Sequence, residues 1–299
     1  MSVKDPSNKV ISLSRRRDQK SGMPGASTNS KPGDRARVIA ITSGKGGVGK
    51  TSIVANLGYA FTRMGKKVLI LDADLGLGNL DVLLGLAPRF NLSHVIMDEK
   101  TIDDILVEGP GKMKILPASS GIQELTNLTR DQKINILTQL DHLINDIDIL
   151  LIDTAAGISP NVMDFNATAQ EIVVVVSPEP TSITDAYALM KVLSLKYSGK
   201  ICKLLVNRTA RPEEGREVYR QLHLVTDRFL DINIDYLGCI LDDEKVTRGV
   251  KSQKIVSELF PDTQASRCFR DLARKIAGLP PVNRPRGGSN LFLRHLGSD

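Results

Sequence analysis

Between residues 44 and 51 the chain reads Gly44-Lys45-Gly46-Gly47-Val48-Gly49-Lys50-Thr51, which fits G-x-x-x-x-G-K-[ST]. Glycines let a backbone curl until successive N–H groups point at anionic oxygens. An apolar run precedes this segment and an amphipathic run follows it, so a helix N-terminus adds its partial positive charge at the same place. The combination describes a cradle for a polyphosphate. Lys50 is placed to reach the β- and γ-phosphates, the Thr51 hydroxyl to ligate Mg²⁺, and Ser52 to stand with them in the first helical turn. A phosphate cradle does not require Lys45. It is either a solvated loop charge or a group that reaches the phosphates of a facing subunit.

Two further apolar runs end in Asp. Residues 67–72 (KVLILD) end at Asp72, followed by Ala73-Asp74; residues 148–153 (DILLID) end at Asp153, followed by Thr154-Ala155-Ala156-Gly157. In open α/β sheets, ligands lie outside the carboxyl ends of the strands, where such carboxylates meet a nucleotide-bound Mg²⁺. Asp153 is expected to hold Mg²⁺ through a bound water, Asp74 to orient or deprotonate the attacking water, and Asp72 to support the metal shell. An Asp after a strand also caps turns, and the nearby phosphate loop is what favours chemistry. The small-residue segments Gly76-Leu77-Gly78-Asn79 and Ala155-Ala156-Gly157 read as switches that order around the γ-phosphate and relax after hydrolysis.

These groups need a scaffold, and hydrophobic periodicity supplies one. Strands are expected at 38–41, 67–72, 113–116, 148–153, 172–177, 203–207 and 236–241. Helices are expected at 50–64, with Ile53, Leu57, Ala60, Phe61 and Met64 on one stripe, and near 131–145, 181–197, 213–230 and 264–277. Continuous β-branched runs between amphipathic helices imply an α/β fold with a mostly parallel, doubly wound sheet covered on both faces. Residues 1–36 read as a flexible basic extension, 37–280 as one domain, and 281–299 as a linker with a short amphipathic segment.

Composition narrows the function classes. Of 299 residues, 41% are hydrophobic and 25% charged, which excludes a mostly disordered chain, a collagen-like repeat and a disulfide scaffold. The net charge of +6 sits in the tails: residues 1–37 carry nine Lys/Arg against three Asp, while 38–283 carry 28 basic and 30 acidic residues. A near-neutral core argues against a nucleic-acid face, and basic tails suit a surface or partner tether. Cys202, Cys239 and Cys268 form no C-x-x-C pair and read as reduced thiols. Four scattered His and no G-x-S-x-G leave no hydrolase triad. No apolar run is long enough to span a bilayer, and the N-terminus has no secretory apolar region, so cytoplasmic residence is the expectation.

The segment 45–51, with Asp72-Ala73-Asp74 and Asp153-Thr154-Ala155-Ala156-Gly157, resembles the deviant Walker A ATPases of the MinD/ParA superfamily, P-loop NTPases of the SIMIBI class. Residues 74–81 (DLGLGNLD) and 178–187 (PEPTSITDAY) most resemble its flagellar branch, the FlhG/FleN/YlxH proteins. The resemblance covers about residues 36–280 and implies ATP and Mg²⁺ as cofactors and slow, partner-stimulated hydrolysis in a face-to-face ATP dimer. It implies that Lys45 contacts the partner's ATP, Asp74 activates water, Asp153 is the Walker B-like carboxylate, and Asn207, followed by Arg208, reads adenine. An Asn at a strand end does offer a donor and an acceptor to a purine edge, though it also forms turns. The implied role is regulation of flagellar number or placement, through the FlhF GTPase, a transcriptional activator or C-ring components. Division-site placement and DNA or cargo partition are the alternatives within the superfamily; an iron–sulfur carrier needs paired cysteines that the chain lacks.

After the link Arg284-Pro285-Arg286-Gly287-Gly288, a helix would place Phe292, Leu293 and Leu296 on one face, with Leu291 beside it and Arg294 opposite. Such a segment suits a membrane interface, and a dimer would present two copies. A tail folded on the core or frayed is the other reading. The resemblance implies a C-terminal membrane-targeting helix and reversible peripheral attachment at the cytoplasmic face of the membrane. The D-Q-A-x-x-L-R motif by which flagellar relatives activate FlhF is broken after Asp18-Gln19, where Lys20, Met23 and Pro24 replace Ala, Leu and Arg.

Overall fold

The computed structural model describes residues 36–74, 78–118, 129–197 and 201–280. The expected switch positions Gly76 and Leu77, the basic extension up to residue 35 and the tail with Leu291, Phe292, Leu293 and Leu296 lie outside the described residues. Ala36, assigned to the flexible extension, is instead buried and packs with Leu69 and Leu150.

The chain opens with β1 (Arg37–Ser43), α1 (Lys50–Thr62) and β2 (Val68–Ala73). Short elements follow: α2 (Leu80–Leu84), α3 (Leu92–Ile96), α4 (Ile102–Ile105), β3 (Val107–Glu108) and β4 (Lys114–Leu116). Longer ones come next: α5 (Arg130–Ile144), β5 (Ile149–Ala156), α6 (Pro160–Thr168), β6 (Glu171–Val176), α7 (Pro180–Lys196), β7 (Ile201–Thr209), α8 (Pro212–Phe229) and β8 (Asn233–Leu241). The chain then runs through α9 (Glu244–Lys251), α10 (Val256–Leu259) and α11 (Gln264–Gly278).

The eight strands form one sheet in the order β3-β4-β2-β5-β1-β6-β7-β8. The pairs are parallel except at the edge, where β3 runs antiparallel to β4. From β1 the chain moves towards β2 and β4, returns to β5, and then continues through β6, β7 and β8 on the other side. That reversal beside β1 is a topological switch point, and a crevice opens there at the carboxyl ends of the strands. Alternate side chains of the central strands divide between the two faces. Ile39, Ile41, Ile70 and Leu151 pack with Leu57 and Phe61 of α1 and Phe269 of α11, while Val38, Ala40, Leu71 and Ile152 face the opposite layer.

The long expected elements are present with ends shifted by a few residues. Met64 is a correction: it lies beyond the end of α1 and is 40% exposed. The helix also buries Val54, Ala55, Asn56 and Gly58, because it is enclosed by the sheet, α10 and α11. A helix covered on several sides keeps no single stripe. Six helices (α2, α3, α4, α6, α9 and α10) had no counterpart in the periodicity. Most are too short to show a repeat, although Ser159 before Pro160 is a legible start signal for α6, and its side chain accepts from the Val162 N–H.

At the amino ends of the strands, Glu171 forms ion pairs with both Arg37 and Lys203. The Arg37 guanidinium also donates to the carbonyls of Ile276 and Leu279, fastening the end of α11 to β1. Burial pushes the Glu171 carboxyl up, but hydrogen bonds and charge from Arg37 and Lys203 outweigh it and hold it below its ordinary range.

Candidate active site

The loop from Gly44 to Gly49 joins β1 to α1 at the switch point. Gly47 and Gly49 have φ of 76° and 98°, the left-handed region that a side chain resists. Packing adds a second demand at Gly49, where a Cβ would stand 2.6 Å from Asn207 Nδ2. The same close packing governs Gly44, whose Cβ would meet the Asp185 carbonyl of α7 at 2.1 Å.

Inside the loop, Lys50 Nζ donates to Ser43 Oγ at 2.8 Å, and that hydroxyl donates to the Lys45 carbonyl at 2.7 Å. Burial lowers the Lys50 ammonium, opposed by the charges of Asp153 and Asp74. A half-buried cation with a single hydroxyl between it and the loop carbonyls is suited to trading that contact for phosphate oxygens.

Asp72 and Asp153 are register partners on β2 and β5, so both carboxylates project on the α1 side. Burial pushes Asp153 up to about 7, against the Thr51 hydroxyl hydrogen bond and the Lys50 charge, with Asp74 adding to the rise. Asp153 Oδ1 is buried with no hydrogen-bond partner among the described residues. The residues present fit Mg²⁺: an orphaned carboxylate oxygen, a hydroxyl on the same carboxylate and an excess of buried negative charge. No group of three His, Cys, Asp or Glu able to hold a metal occurs among the described residues. Mg²⁺ typically keeps several waters and draws further ligands from phosphate oxygens.

Asp72, expected to support the metal shell, takes two backbone N–H groups in this structure. Its Oδ1 accepts the Asp74 N–H at 3.2 Å and its Oδ2 the Leu80 N–H at 3.3 Å, so the carboxylate faces the loop that follows β2. Burial, then the charge of Asp153, pushes Asp72 well above the ordinary range. Asp74 stands at the carboxyl end of β2, near enough to Lys50 and Asp153 for its charge to act on both.

Lys45 pairs with Glu179 and donates to Thr181 Oγ1 at 2.8 Å, both at the start of α7. The hydrogen bond and charge of Lys45 lower the Glu179 carboxyl. Asn207 is buried, and its Nδ2 donates to the Val48 carbonyl at 2.7 Å, so it braces the loop. Beside it lies a cavity of about 250 Å³ lined by Gly49, Ser52, Asn207, Arg208, Asp243 and Val246 among others. Arg208 adopts φ 58°, uncommon for a side-chain-bearing residue, as the chain leaves β7 at the cavity rim.

A family model described as an AAA domain, AAA_31, matches residues 36–200. The antiactivator FleN of Pseudomonas aeruginosa is 44% identical over 260 residues, spanning 87% of this chain and 93% of the relative. The flagellum site-determining protein YlxH of Helicobacter pylori is 34% identical over 264 residues, spanning 87% and 89%. The chain belongs to the MinD/ParA family of ATPases, in its FlhG-like branch. The MinD fold extends to solved structures: the septum site-determining protein MinD of Pyrococcus horikoshii, complexed with Mg-ADP, superposes with a TM-score of 0.68 at 26% identity, covering 81% of this chain and 96% of that one.

In this MinD-like chain the structure brings Lys45, Lys50, Thr51, Asp72, Asp74, Asp153 and Asn207 to the carboxyl ends of β2, β5, β1 and β7, with β6 between the last two. Sequence reasoning missed the Glu179 and Thr181 partners of Lys45 and the cavity wall from Asp243 and Val246. The Asp242-Asp243 pair closing β8 was a legible helix start: Asp243 accepts the Lys245 N–H at 2.9 Å and caps α9.

Proposed function

We propose that this MinD/ParA-family ATPase is a nucleotide switch that dimerises on ATP and Mg²⁺, attaches to the cytoplasmic face of the membrane, and regulates flagellar number or placement. The observation that carries the ATPase reading is the buried Asp153, its Oδ1 without a hydrogen-bond partner among the described residues, beside Lys50 and Thr51 at the mouth of a left-handed glycine loop. Loop N–H groups and Lys50 hold the phosphates. Gly44, Lys45, Gly46, Gly47, Val48, Gly49, Lys50, Thr51 and Ser52 line the triphosphate, and the cavity beside Asn207 and Arg208 takes the adenine. Thr51 and Asp153 would hold Mg²⁺, which would supply charge neutralisation at the phosphates. Asp74 orients the attacking water and takes its proton.

For Lys45 to reach a partner's phosphate it must leave Glu179 and Thr181. Hydrolysis is slow until a partner stimulates it, and the FlhF GTPase, a transcriptional activator or C-ring components are the partner classes. Residues Leu291, Phe292, Leu293 and Leu296 give each subunit one weak membrane contact, and a dimer joins two. The test is sizing with ADP and with ATP plus Mg²⁺, with and without liposomes, alongside ATP binding by Lys50→Ala. ATP-dependent dimers that float with lipid support the reading; a Lys50→Ala variant with wild-type ATP affinity overturns it.

A further inference from the structure

Two buried carboxylates sit side by side where β2 and β5 end, and they face different neighbours. Asp153 meets Thr51 and Lys50 of the phosphate loop. Asp72 instead receives two backbone N–H groups, from residues two and eight positions further along the chain. Those N–H groups belong to Asp74 and Leu80, the first residue after β2 and the first residue of α2. Asn79, at the N-cap of α2, makes no side-chain cap, and the carboxylate of Asp72 accepts the helix's first N–H, one of the donors that a helix start leaves without an intrahelical partner. Gly78 lies against the same group: a Cβ there would stand 2.9 Å from Asp72 Oδ2 and 2.5 Å from Ala118 Cβ. Only a residue without a side chain lets the returning chain approach so closely.

Resting on the ATPase reading above, we propose that Asp72 is a positioning residue: it ties both ends of the 74–80 connection to the sheet and thereby sets where Asp74 stands, and it is not part of the metal shell. A backbone N–H held on a fixed acceptor at residue 74 fixes its Cα, and so the point from which the Asp74 side chain starts. The second bond, at Leu80, keeps the connection from drawing Asp74 away.

The experiment measures ATP hydrolysis, binding of a non-hydrolysable ATP analogue, and the Mg²⁺ concentration for half-maximal binding, in the full chain and in variants. Asp72→Asn keeps the shape but turns an amide towards one of the two N–H groups. Its kcat should fall about ten- to a hundredfold, while analogue affinity and the Mg²⁺ requirement stay within about twofold of wild type. The Asp72→Asn/Asp74→Ala double variant should be no slower than Asp74→Ala, because positioning is worthless once the positioned group is gone. Gly78→Ala retains the carboxylate and pushes the connection off it, so it should reproduce the kcat loss at an unchanged Mg²⁺ requirement; it carries the test if Asp72→Asn does not fold.

A Mg²⁺ requirement raised about tenfold or more in Asp72→Asn would make Asp72 a metal ligand and overturn the proposal. Unchanged kcat, or losses that multiply in the double variant, would also overturn it. A wild-type chain that neither binds nor hydrolyses ATP overturns the ATPase reading instead, and is told apart by failing before any variant is made.

Discussion

The nucleotide-free chain holds Asp153 in a place that opposes its ionisation, so Asp153→Asn is expected to stabilise the fold while abolishing hydrolysis. Burial raises this carboxyl from 3.8 to about 7. The folded state therefore keeps the proton more tightly than the unfolded state. Stability from this group is complete below the unfolded value of 3.8 and is lost as pH rises to about 7. A span of about three pH units at about 1.36 kcal/mol per unit amounts to roughly 4 kcal/mol. Asn has the same shape and no charge to desolvate. Without nucleotide and with a chelator present, Asp153→Asn should exceed wild type by roughly 4 kcal/mol at pH 8 but by only about 1–2 kcal/mol at pH 5. For a chain of this size the pH 8 difference corresponds to roughly 8–16 °C in Tm. Thermal and urea unfolding across pH 5–8 measure it. A gap that stays constant over that range, or a variant less stable than wild type at pH 8, would refute the reasoning. Adding ATP and Mg²⁺ should stabilise wild type more than the variant, because bound ligand adds stability in proportion to its affinity.

Three further outcomes test separate parts of the molecule. Glu171→Ala leaves Arg37 and Lys203 buried and unpaired, and should cost about 3–5 kcal/mol, or roughly 6–20 °C in Tm. ATP affinity should not change, because Glu171 lies at the amino end of β6, away from the loop; isothermal titration of the folded variant checks this. Lys45→Ala should still bind ATP but hydrolyse or dimerise poorly, since the Lys45 side chain turns to Glu179 and Thr181 while its backbone stays in the loop; sizing and turnover like wild type would remove it from the reaction. Truncation after Gly288 should abolish liposome flotation with ATP and Mg²⁺, and unchanged flotation would reject the tail as the membrane contact.

What the sequence determined was local. Phosphate recognition needs a contiguous turn, so residues 44–51 carry it as a motif, with the strand and helix that frame it legible on either side. Runs such as KVLILD and IVVVVS declared a buried parallel sheet, because strands covered on both faces lose the alternation that marks a half-exposed one. Asp72, Asp74 and Asp153 could be placed at the crevice for the same reason, since each follows an apolar run.

Tertiary structure decided which way those groups face. Asp72 and Asp153 look alike in sequence, yet one meets a loop backbone and the other the phosphate-loop helix. The Lys45–Glu179 pair joins residues 134 apart, and the Asn207 bond to Val48 spans 159. Short helices such as α4 and α10 have too few turns to register as a period, and they form because the core gives them a surface. Hydrogen bonds and ion pairs between distant residues depend on strand order and register, and periodicity along one chain contains neither.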